Sequence, residues 1–117
     1  MKERGREAEK DREKKLEELQ IYEQNLQSIL LQKQVIQAEQ NEINNALKEL
    51  ERAKDECFKI VGGIMIKESK ANLSKELEER KKLLELRLKS FDKQEELIRK
   101  KANELREELL KEMKTEA

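Results

Sequence analysis

Between Cys57 and Lys67 the chain reads Cys-Phe-Lys-Ile-Val-Gly-Gly-Ile-Met-Ile-Lys, and nowhere else do β-branched and aromatic residues gather while charge thins out. Gly62 and Gly63 sit at the centre of this stretch. A Gly-Gly pair between two short apolar runs signals a two-residue hairpin turn, because glycine takes the positive φ that such a turn requires. That turn pairs Val61 with Ile64, Ile60 with Met65 and Lys59 with Ile66. Side chains alternate along a strand, so Phe58, Ile60 and Met65 share one face and Cys57, Val61, Ile64 and Ile66 the other. Both faces are apolar. Two strands alone are marginal in water and keep open edges, and the chain offers no further strand. The hairpin is therefore expected to be covered by strands of other chains, since the flanking helices have a use for each other.

Those flanks are charged and free of helix breakers. Of 117 residues, 46% are charged and 3% aromatic, with no Pro and no Trp. Such a composition suits long helices or coiled coil, not a globular core. Disorder competes as a reading of so much charge, but the net charge is zero and the apolar spacing is regular.

From Leu16 onward, Leu19, Tyr22, Leu26, Ile29, Ile36, Ile43, Leu47 and Leu50 keep the three-four spacing of a coiled-coil seam, with Lys33 and Gln40 as polar interruptions. A second seam runs through Leu73, Leu77, Leu84, Leu88, Phe91, Ile98, Ala102, Leu105 and Leu109. The expected fold class is mainly α: an antiparallel two-helix coiled-coil hairpin, with one β-hairpin at the bend that strands of other chains cover. The expected elements are a charged N-terminal extension over 1–15 and a coiled-coil domain over 16–117. The latter holds a helix over about 16–54, a hairpin over about 57–68 and a helix over about 71–114. Some forty residues of helix span roughly 60 Å. A residue n should face one near 127 − n, a register good to about half a heptad. Residues 1 to about 15 read as a frayed helix end or mobile tail, because they lack apolar anchors. Ser69 or Asn72 is placed to cap the second helix.

At the free ends, Leu16, Leu19 and Tyr22 lie opposite Leu105, Leu109, Leu110 and Met113. A coiled coil's open end cannot enclose all of them, so part of this cluster should stay accessible. Leu30, Leu31, Val35, Leu83, Leu86 and Leu97 fall off the seams, either widening the core face or packing on neighbours.

Much chemistry is disfavoured. With no histidine and one cysteine, Ser-His and Cys-His arrangements, thiolate clusters and internal disulfides have no ligands or partners. Gly62-Gly63 is too short for a phosphate cradle. Nothing suggests an enzyme's pocket, and neither cofactor nor metal is expected. Balanced charge, 27 basic against 27 acidic residues, argues against a general grip on nucleic acid. No run approaches membrane-spanning length and the N-terminus lacks a signal peptide's apolar core, so a cytoplasmic location is expected.

Two coiled-coil helices joined by Phe58-Lys59-Ile60-Val61-Gly62-Gly63-Ile64-Met65-Ile66-Lys67 resemble the beta type of the prefoldin family. Gln32-Lys33-Gln34, Glu85-Leu86-Arg87-Leu88 and Lys93-Gln94-Glu95 carry the same likeness. It covers roughly Leu16 to Met113, and the hairpin is its most specific part. The resemblance implies hairpins of several subunits joined into β-barrels, with coiled coils hanging from that platform. It implies a hexamer of alpha-type and beta-type subunits that holds unfolded proteins at the tips, without nucleotide, and delivers them to a group II chaperonin. It places client-binding tips at Leu16, Leu19, Tyr22, Leu105, Leu109, Leu110 and Met113. It places the oligomerisation hairpin at Phe58, Ile60, Val61, Ile64, Met65 and Ile66. The charged opening departs from the family's usual Gln- and Pro-containing start. The alternative from another class is a structural coiled-coil spacer or adaptor, against which the mid-chain glycine pair argues.

Overall fold

A computed structural model of the chain describes residues 2–116, with side chains for residues 5–115. The described elements are helix α1 (Lys2–Arg52), strands β1 (Glu56–Val61) and β2 (Ile64–Ser69), and helix α2 (Lys70–Glu116). The fold is mainly helical, with one antiparallel β-hairpin between two long helices.

The helices form because Leu, Glu, Lys, Arg, Gln and Ala, all good helix formers, dominate both flanks and proline is absent. The start of α1 differs from expectation. It lies at Lys2, not near Leu16, and the charged opening continues the same helix. Glu, Lys, Arg and Ala carry this opening, and Gly5, a cost of about 1 kcal/mol relative to Ala, does not interrupt it. Asp11 and Lys15 add an i,i+4 ion pair at 3.3 Å. Met1 and Ala117, outer limits of the expected segments, lie outside the described residues.

Both glycines of the turn adopt positive φ, 57° at Gly62 and 79° at Gly63. This backbone suits a tight hairpin and strains residues with a Cβ. The strand register is the expected one, Val61 with Ile64, Ile60 with Met65 and Lys59 with Ile66, and it extends to Glu56 with Ser69.

The chain divides into two units, Met1–Gln32 with Phe91–Ala117, and Lys33–Ser90. In the first, the helical segments run antiparallel, Lys15 meeting Glu112 and Glu23 meeting Arg106, close to the expected register. Its buried side chains are Ile29, Ala102, Leu105 and Leu109. In the second, the core is Ile36, Ile43, Leu50, Cys57 and Leu84. There Arg80 meets Glu39, about one heptad nearer the hairpin than expected. Residues 68–72, read as a polar bridge, are the end of β2 and the first turn of α2.

Burial along the helices follows the heptad. Ile29, Ile36, Ile43 and Leu50, seven residues apart, are each 8% exposed or less. Leu30, Leu31, Val35, Leu83, Leu86 and Leu97 are all exposed, so none of them widens the core face. Leu84 is 1% exposed and its neighbour Leu83 is 48% exposed. Leu84→Ala should therefore lower stability by about 2–5 kcal/mol, a cavity penalty. Leu83→Ala should stay within about 0.5 kcal/mol. Urea unfolding of the assembled protein, followed by far-UV circular dichroism, measures both.

Candidate functional site

Within the hairpin-bearing unit, the site begins at the junction of strands and helices. Ser69 is the N-cap of α2: its hydroxyl accepts the Asn72 backbone N–H at 3.2 Å. Glu68 accepts from the Ser69 N–H at 3.2 Å and from the Asn72 side-chain amide at 3.1 Å. The Asn72 amide, then the Ser69 N–H, hold the Glu68 carboxyl below its ordinary range, with Lys59 adding to the effect. Lys59 donates to Glu76 on α2 at 2.9 Å and lies 3.7 Å from Glu68; the Glu76 bond raises its pKa.

Lys70 closes the other side. Its N–H donates to the Asp55 carbonyl at 3.2 Å. Its ammonium donates to the carbonyls of Glu51 and Ala53, at 3.3 and 3.2 Å. These acceptors lie at and just beyond the end of α1, where helical carbonyls lack partners and cations are favoured. Cys57 is buried, with its thiol 3.5 Å from the Lys54 carbonyl. The hairpin is thereby pinned to both helices at its base.

Its far end is bare. Phe58, Ile60, Val61, Ile64, Met65 and Ile66 are between 42 and 72% exposed, so both faces meet solvent. Among the described residues the sheet has two strands, and each keeps an unpaired edge.

The other unit holds the open end of the helices. Here the expected tip residues separate. Leu16, Leu110 and Met113 are exposed, Leu19 and Tyr22 are half-buried, and Leu105 and Leu109 are buried in the seam. Ile21, off the seam and outside the expected set, is also exposed. Its position two residues beyond Leu19 is the signal that could have found it, since that spacing turns it away from the partner helix. Leu16, Leu109 and Met113 line an open groove together with Glu9, Arg12 and Glu13. Beside it, Lys15 lies 3.3 Å from Asp11 and 3.6 Å from Glu108 and pairs more closely with Glu112. The hydrogen bond to Glu112 is the main cause of the raised Lys15 pKa.

Among the described residues, no group of three or more His, Cys, Asp or Glu is placed to hold a metal ion. No described helix is long and apolar enough to cross a membrane.

Residues 13–116 match the family described as "Prefoldin subunit". The chain is 41% identical over 90 residues to the prefoldin subunit beta of Pyrobaculum calidifontis, covering 75% of this chain and 72% of that protein. It is 38% identical over 96 residues to that of Pyrococcus furiosus, covering 80% and 82%. The crystal structure of the prefoldin beta subunit from Thermococcus strain KS-1 is similar with a TM-score of 0.78 and 34% identity. That similarity covers 85% of this chain and 89% of the other.

The depressed pKa of Glu68 sets a direction for acid. Its stabilisation is full above the ordinary carboxylate pKa of about 4.3 and is lost as pH falls through the lower folded value. On acid titration by NMR, the Ser69 amide proton should shift upfield with a midpoint below that ordinary value. In Glu68→Gln this titration should vanish.

Proposed function

We propose a function from one premise: the chain belongs to the prefoldin subunit family. It acts as a subunit of a hexameric, nucleotide-independent molecular chaperone in the cytoplasm. Alpha-type subunits and further beta subunits supply the strands that complete a β-barrel with this hairpin. Unfolded client proteins are held at the open helical ends, kept from aggregating, and delivered to a group II chaperonin.

The observation that carries the reading is the set of apolar side chains left in solvent at the open end: Leu16, Ile21, Leu110 and Met113. Each offers a small patch, suited to brief contact with an exposed apolar segment. Met adapts its shape to varied partners. Several such ends acting together supply affinity by avidity, where one contact would be too weak. Leu105 and Leu109 serve this surface from beneath, by holding the helices together.

For the hairpin, the support is thermodynamic. Full burial of one large apolar side chain is worth roughly 1.5–3 kcal/mol. Six such side chains in solvent give a strong drive for strands of other subunits to cover them.

Leu110→Ser with Met113→Ser should weaken protection of a diluted unfolded protein by about threefold or more, since each change removes apolar contact. The native mass of the complex should not change. Unchanged protection would move the client surface elsewhere. Leu109→Ser is the contrasting variant, and it should lower the unfolding midpoint because it opens the seam.

Ile60→Asp places a charge where strands of separate chains meet. Native mass spectrometry should then show the assembly reduced to smaller species, with helical content retained.

A further inference from the structure

The charged opening of α1 builds one wall of the groove at the open end. Glu9, Glu13 and Leu16 are spaced by four and three residues, which stacks them along one side of the helix. Leu109 and Met113 of α2 complete the groove. Its apolar floor is therefore bordered by two carboxylates. Among the described residues neither Glu9 nor Glu13 takes part in an ion pair. Arg12 also lines the groove and offsets one of these carboxylates, while its Nε donates to the Ala8 carbonyl of its own helix at 3.4 Å. Lys15, the neighbouring cation, is held among Asp11, Glu108 and Glu112. Two carboxylates against one guanidinium leave the groove lining with a net charge of −1.

We infer that this groove selects apolar peptide segments flanked by basic residues, with Leu16 and Met113 taking the apolar part over the buried Leu109 and with Glu9 and Glu13 taking the Lys or Arg beside it. The inference rests on the client-holding reading and adds a charge preference to it. Charge complementarity at a solvated border supplies specificity more than affinity. It is screened by salt over a Debye length of about 10 Å at 0.1 M.

The test uses the full chain in its native assembly and two fluorescein-labelled peptides. They share one apolar core and carry either Lys or Glu on both sides. Fluorescence anisotropy at low salt should show the Lys-flanked peptide binding about threefold tighter or more, the effect of weak solvated ion pairs. The preference should shrink at about 0.5 M salt, where screening is strong. It should disappear in Glu9→Gln with Glu13→Gln, the two peptides then binding alike. Equal affinity for the two peptides, or a preference that survives in the double variant, overturns the inference and leaves the client-holding reading standing. Binding of neither peptide brings down both.

Discussion

A helix whose surface is nearly half charge has only a narrow line along which to hide from water. Here that line is Ile29, Ile36, Ile43 and Leu50 on α1, matched by Leu84, Ala102, Leu105 and Leu109 on α2. No polar side chain among the described residues is buried with them. The buried apolar side chains of both helices are spent on this seam, and none of them covers the strands. Everything that must be covered beyond the seam has to be covered by something else. This single constraint explains why a chain of 117 residues ends with both faces of its hairpin in solvent.

Family membership and geometry converge from separate directions. The matched residues, 13–116, include the hairpin, the seams and the open end, but begin beyond Glu9. The first turns of α1 add helix, carboxylates and the Lys15 cluster beside the apolar groove.

The turn was fully legible in the sequence, because only glycine is comfortable at two successive positive φ values and the register follows from the turn. A cap at Ser69 or Asn72 was legible for a similar reason, a short polar side chain ahead of a helical period, and the hydrogen bond from the Asn72 N–H selects Ser69. The start of α1 was not. Periodicity needs apolar residues to report it, and residues 2–15 have only helix propensity and ion pairs to hold them. The division among tip residues was also hidden. Leu105, Leu109 and Leu110 look alike in composition, and only the phase of α2 against α1 buries the first two and exposes the third.

Lys70 gives the junction its last consequence. By joining the carbonyl end of one helix to the first turn of the other, it removes the slack that a flexible connector would leave at the base of the strands. Lys59 and Glu76 brace the same base from the opposite flank. The hairpin is thus a stiff bracket and not a tether. An angle imposed on the strands would therefore be handed directly to the helical turns rooted there.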